Sequence, residues 1–197
     1  MFTGLVDNVG TIESIQTTEA GIEIRIATIY RDLTPGESVA VSGACLTVRD
    51  CGEGWFTAAA VVTTLGRTTI GEWQPGRKLN LERAMKADGR FGGHIVQGHV
   101  DDVGTILSKR VIGDATLLDI AVPPGVSQTL VPLGSVTVDG VSLTVNAITV
   151  DVLQVSLVEY TLHHTSLGLL AEGSRVHLES DVIGKYVRQL VAPYLNR

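Results

Sequence analysis

The chain has 197 residues, 44% hydrophobic and 18% charged, and 15 Lys+Arg against 21 Asp+Glu give a formal net charge of −6. That length holds one large domain or two small ones with real cores, and the composition is too apolar for a disordered chain. The acidic balance, with no basic stripe, argues against nucleic acid as a partner, and no apolar run approaches the about 18 residues of a membrane helix.

The opening, MFTGLVDNVG, has no basic segment ahead of an apolar block. It does not read as a signal peptide, and the cytoplasm is the expected location. Ile22–Ile29 (IEIRIATI) alternates and predicts a strand, as does the Val- and Thr-rich run VAVSGACLTV from Val39 to Val48. Turn signals follow at Asp50–Gly54 and Pro75–Gly76, with a short helix or turn over Leu65–Ile70. Lys86–Phe91 (KADGRF) is a polar boundary, and the cluster GGHIVQGH from Gly92 to His99 comes next. Strands return at Leu117–Val122, at Val136–Val145 around the Asp139–Gly140 turn, and at Leu153–Leu157. Leu162–Leu167 is again a short helix or turn. Asp181 can cap a final helix, in which Ile183, Tyr186, Val187, Leu190, Val191 and Leu195 form an apolar stripe. Pro193 should end or kink it.

The chain contains itself twice. Ser38–Glu82 placed over Ser135–Glu179, an offset of 97 without gaps, gives 15 identities in 45 positions. Gly4–Ile12 (GLVDNVGTI) matches Gly98–Ile106 (GHVDDVGTI) at an offset of 94. Two copies are too few for a solenoid. The expected fold is all-β: two homologous small barrels or sandwiches and a terminal helix. The domains fall at residues 1–88, 89–180 and 181–197.

Cys45 and Ser142 hold the same repeat position, each before Leu-Thr-Val. Alternation places Cys45 with Thr47, and Ser142 with Thr144, on one face of a strand, opposite Leu46 and Leu143. Such a face can grip a planar polar heterocycle, although a small buried Cys beside a threonine ladder needs no ligand. His94 and His99 lie five apart, share no strand face, and have no third ligand at zinc spacing, so no metal is expected. Dinucleotide, P-loop and nucleophile-elbow signatures are absent.

MFTGLV, SGACLTV, LNLERAM, GGHIVQGHVDDVG and DGVSLTV, taken in order, resemble the riboflavin synthase family over essentially the whole chain. The resemblance implies two six-stranded Greek-key barrels and a C-terminal helix that assembles a homotrimer. It implies dismutation of two 6,7-dimethyl-8-ribityllumazine molecules, two per active site, to riboflavin and 5-amino-6-ribitylaminouracil, with no cofactor. One lumazine becomes a carbanion at its C7 methyl and the other accepts a nucleophile at C7. In some hosts a lumazine synthase shell encloses family members, which makes that protein a candidate partner.

Carried over by position, the N-barrel site is Gly4, Leu5, Val6, Cys45, Leu46, Thr47 and the segment Ala59, Ala60, Val61, Val62, Thr63 and Thr64. The C-barrel site is Gly98, His99, Val100, Ser142, Leu143, Thr144 and the segment Ser156, Leu157, Val158, Glu159, Tyr160 and Thr161. The resemblance gives catalytic roles to Cys45, His99, Ser142, Thr144 and Asp181, and places Phe2 near the ligand. Ala59, Thr63 and Leu133 stand where the family usually has Asp, Glu and Lys. These departures leave a second reading, a lumazine- or flavin-binding antenna protein on the same scaffold. A flavin-reductase-like barrel is a third, opposed by the second copy where a nucleotide domain would stand.

Overall fold

Branched and apolar residues at every second position suit a pleated surface with one face buried. The computed structural model, which describes residues 1–195, closes these segments into two antiparallel six-stranded barrels. The first contains β1 (Asn8–Thr18), β2 (Gly21–Ala27), β3 (Ser38–Val41), β4 (Ala44–Gly52), β5 (Trp55–Val61) and β6 (Lys78–Arg83), in the spatial order β1-β2-β5-β4-β3-β6. The second contains β7 (Asp102–Ile112), β8 (Ala115–Ala121), β9 (Ser135–Val138), β10 (Val141–Ile148), β11 (Val152–Val158) and β12 (Arg175–Ser180), and it repeats that order as β7-β8-β11-β10-β9-β12. Closure removes the unpaired sheet edges that would otherwise invite aggregation. Even the irregularities repeat: β1 slips register between Ile12 and Ser14, and β7 between Ile106 and Ser108.

Each barrel has its own core. Ile24, Leu46, Phe56 and Leu81 fill the first, and Ile120, Leu143, Leu153 and Leu178 the second. Each such side chain contributes roughly 1.5–3 kcal/mol on burial. The run Val39–Val48 is not one strand. Ser42 and Gly43 both take left-handed φ, as do Asp139 and Gly140, so each copy folds into a tight hairpin.

These two hairpin turns meet on the pseudo-two-fold axis. A Cβ on Gly43 would lie 2.8 Å from the Gly140 nitrogen, and one on Gly140 2.7 Å from the Gly43 nitrogen. Beside them, Asn80 Nδ2 donates to the Asp139 carbonyl and its Oδ1 accepts from the Ser166 N–H. His177, at the equivalent place, lies 2.8 Å from the Ser42 carbonyl through Nδ1, and its Nε2 accepts from the Thr69 N–H. The carbonyl can only accept, so Nδ1 carries the proton. Burial lowers the pKa of His177 and supports this neutral form.

The final helix, α1 (Val182–Leu195), begins at Asp181, whose Oδ1 accepts from the Ile183 N–H at 2.9 Å. It runs past Pro193 instead of ending there. Proline removes one backbone hydrogen bond, and two residues from the helix end that loss is small. Ile183, Tyr186, Val187, Leu190 and Val191 of the predicted stripe are exposed rather than packed on the barrels. The side chain of Leu195 lies outside the described residues.

Candidate active site

Alternation along β4 and β10 decides what faces outward. Leu46 and Leu143 point into their cores, while Cys45, Thr47, Ser142 and Thr144 point out. The same rule divides the other carried-over segments. Ala60 and Leu157 are buried inside, and Ala59, Val61, Ser156 and Val158 face outward. Leu46, Leu143, Ala60 and Leu157 therefore offer a ligand backbone groups only. Ser156 Oγ accepts from Asn146 Nδ2 at 2.6 Å, the next outward group on β10.

Two extended segments cross between the barrels, and they exchange partners relative to the sequence expectation. The Cys45 N–H donates to the Gly98 carbonyl at 2.7 Å, and the Ser142 N–H donates to the Gly4 carbonyl at 2.8 Å. Val100 packs into the first core and Val6 against the second. So Gly98, His99 and Val100 belong with Cys45, and Gly4, Leu5 and Val6 with Ser142, which corrects the grouping read from the sequence. Gly98 and Gly4 both take positive φ, and a Cβ there would sit 2.7 Å from Cys45 Cβ and 2.6 Å from Ser142 Cβ. Only glycine allows this approach.

A carboxylate clamps each crossing segment. Glu82 accepts from the N–H groups of Thr3 and Gly4 and from the Thr3 hydroxyl, and Glu179 accepts from the N–H groups of Gln97, Gly98 and His99. Burial raises both carboxyls, Glu179 to about 7, against the pull of these donors. Phe2 pairs with Val96 between the segments and is fully buried. It supports Gly98 from beneath rather than facing a ligand.

On the first barrel, Cys45 opens into a cavity of about 270 Å³, lined also by Thr63, Thr64, Arg67, Thr68, His99 and Val100. Thr47 is exposed outside it, and Val62 is exposed on the short helix Val62–Leu65. On the second barrel, Ser142 Oγ lies 2.8 Å from His94 Nδ1. His94 is buried, and its Nε2 has no hydrogen-bond partner among the described residues. Desolvation lowers its pKa although the Asp181 charge acts the other way, so the ring is neutral near pH 7. Glu159, Tyr160 and Thr161 lie on the helix Glu159–His164, where the Tyr160 ring stacks on His164 at 3.9 Å. Thr144 and Leu133 are exposed. Leu133 takes φ +64 where the other copy has Gly36 at φ +90.

His94, Arg67, Thr68 and the two clamping carboxylates were not among the expected site residues. Glu82 and Glu179 were detectable as an identity between the copies. Among the described residues no cluster of His, Cys, Asp or Glu is placed to hold a metal, and no helix is long and apolar enough to cross a membrane.

Two closed barrels with outward faces of equivalent geometry and unlike chemistry define a tandem-barrel protein. The lumazine binding domain family matches residues 3–84 and again 97–181, one match per barrel. The riboflavin synthase of Bacillus subtilis (strain 168) is 41% identical over 189 residues, covering 95% of this chain and 88% of that one. That of Mycobacterium tuberculosis (strain ATCC 25618 / H37Rv) is 42% identical over 197 residues, covering 97% and 98%. The crystal structure of LumP complexed with riboflavin shares the fold, with a TM-score of 0.82, 23% identity, and coverage of 91% of this chain and 99% of that one. The chain belongs to the riboflavin synthase family, and full-length homology at about 40% identity assigns it riboflavin synthase activity.

Proposed function

We propose that each barrel holds one 6,7-dimethyl-8-ribityllumazine on its outward face, and that the two meet where the N-barrel of one protomer faces the C-barrel of a neighbour in a homotrimer. The observation that carries this reading is the pairing of equivalent faces with unlike groups: Cys45 with His99 on one, Ser142 with a neutral buried His94 on the other. Two identical molecules that react with each other must play different roles, and unlike faces assign those roles.

In this reading the N-barrel lumazine accepts the nucleophile, with Cys45 and Thr47 positioning it. The C-barrel lumazine gives up a methyl proton, and Ser142 and Thr144 steady the resulting anion by hydrogen bonds. His99 carries protons between the two. The neutral His94 holds the Ser142 hydroxyl in place. A four-carbon unit then passes from one ring to the other, leaving riboflavin and 5-amino-6-ribitylaminouracil. The exposed stripe of α1 is the trimer contact. The units 1–88 and 89–180, followed by 181–197, each complete their outward face with the crossing segment of the other. The free thiols of Cys45 and Cys51 suit a reducing cytoplasm.

Subunit complementation tests the arrangement. Co-expressed Cys45→Ser and Ser142→Ala chains, each weak alone, should regain activity in mixed trimers, because some interfaces then pair two intact faces. Activity no higher than that of the separate variants would refute a site shared between protomers.

A further inference from the structure

The two loops that precede β6 and β12 lie at the junction of the barrels, and the repeat makes their contents directly comparable. In one copy the Arg175 guanidinium crosses to pair with Glu72, and the neighbouring Trp73 ring is buried against His177. The offset of 97 places Lys78, Leu169 and Leu170 at the corresponding positions of the other copy. There the acid is absent and the indole is replaced by a smaller side chain. What remains is a cavity of about 230 Å³, walled by both barrels.

Cations outnumber carboxylates in its lining. Arg77, whose guanidinium lies over the Trp73 ring at 5.4 Å, makes no direct ion pair or side-chain hydrogen bond among the described residues, and its Nε is buried without a hydrogen-bond partner. Lys78, with no carboxylate to meet among the described residues, donates to the Thr11 hydroxyl at 2.8 Å. Arg175 lines the same space from the other barrel while also pairing with Glu72, so its guanidinium is shared between that acid and the cavity. Ser166 adds a hydroxyl, and the Ser174 hydroxyl accepts from the Ala171 N–H and keeps its proton to donate. The carboxylate in the wall, Asp139, is buried, accepts from the His177 N–H at 2.8 Å and feels the Arg77 charge without a direct ion pair, so it offsets only part of the positive charge.

We propose that this crevice binds a phosphate group, either free phosphate or the end of a small phosphate ester, between Arg77, Lys78 and Arg175. Three cations and two hydroxyls suit a tetrahedral dianion, and the exposed Leu169 with Leu170 offers an apolar wall to an ester's organic part. Because the cations come from both barrels, binding ties the two together.

Calorimetric titration and thermal melting of the full-length protein, in phosphate against sodium chloride of equal ionic strength, test the site. Phosphate should give a saturable heat and raise Tm by roughly 5–10 °C at a hundredfold excess over Kd. Leu169→Glu restores the acid that the other copy carries, at an exposed position that tolerates it, and should abolish both effects. Lys78→Ala should weaken binding at least severalfold. Glycerol 3-phosphate binding more tightly than inorganic phosphate would identify an ester as the ligand; equal affinity would identify free phosphate. No response beyond that to chloride, or a response that survives Leu169→Glu unchanged, would overturn the proposal.

Discussion

The first barrel and the second share strand order, bulge, hairpin, carboxylate clamp and the outward threonines Thr47 and Thr144, yet their outward faces differ at a few reactive groups. Cys45 stands against Ser142, His99 against Leu5, and Thr63 against Tyr160. Ser142 has His94 on its hydroxyl, whereas no imidazole among the described residues hydrogen-bonds Cys45. Asp181, with the helix it caps, follows the second copy, and Ala84 stands in its place in the first. The strand plan and the clamping carboxylates are therefore kept equal, while Cys45 against Ser142 and His99 against Leu5 set the two faces apart.

The sharpest way to break that comparison is to remove the hydroxyl–imidazole pair. Ser142→Ala should lower kcat about 10²–10³-fold, by loss of a donor aimed at developing charge, and His94→Gln should lower it less, because His94 positions that hydroxyl rather than touching the anion. Cys45→Ser should cost less, about 10-fold, because a hydroxyl still fills the position. Steady-state rates with unchanged Tm check both, and equal losses on the two faces would contradict unlike roles.

The scaffold should respond symmetrically. Gly98→Ala and Gly4→Ala each drive a Cβ into the facing strand at positive φ, and each should destabilise the fold by about 1–3 kcal/mol in denaturant melts. A benign Gly4→Ala beside a damaging Gly98→Ala would show that the crossing segments are not equivalent.

The clamps predict a pH dependence. Burial holds the Glu179 carboxyl up at about 7 against its ordinary 4.5, so between those values the unfolded chain binds fewer protons than the folded one. Its stabilising contribution is full below about pH 4.5 and is lost as pH rises through about 7. Glu179→Gln should flatten the fall of Tm across that window. Glu82→Gln should act in the same direction, since burial raises that carboxyl too. The smallest effect belongs to Asp181. Asp181→Asn keeps an N-cap and should leave stability within a few tenths of a kcal/mol, whereas Asp181→Ala should cost about 1 kcal/mol. A large loss of kcat in Asp181→Asn would show that its charge serves the reaction and not only the helix.

Much of this was legible in the sequence. The repeat carried the two-barrel plan, and alternation around Leu46 and Leu143 gave the correct faces. Alternation also marks Ala60 and Leu157 as inward, which transfer of whole segments obscured. The exchange of the crossing segments was not legible. Aligning Gly4 with Gly98 shows that they are equivalent but not which barrel each one touches; that depends on the Phe2–Val96 pairing, a long-range contact without a local signal. His94 was visible only as part of a polar cluster, because its partner Ser142 lies on the other side of β7, β8 and β9 in sequence.

The central claim is that this pair of unlike faces makes two identical molecules react with each other. Anaerobic incubation of the protein with 6,7-dimethyl-8-ribityllumazine alone, followed by chromatography, tests it most directly. The account predicts one riboflavin for every two lumazines consumed, with nothing else added. Tight binding of lumazine without product would contradict it, and would leave a binding protein whose two faces are both intact and idle.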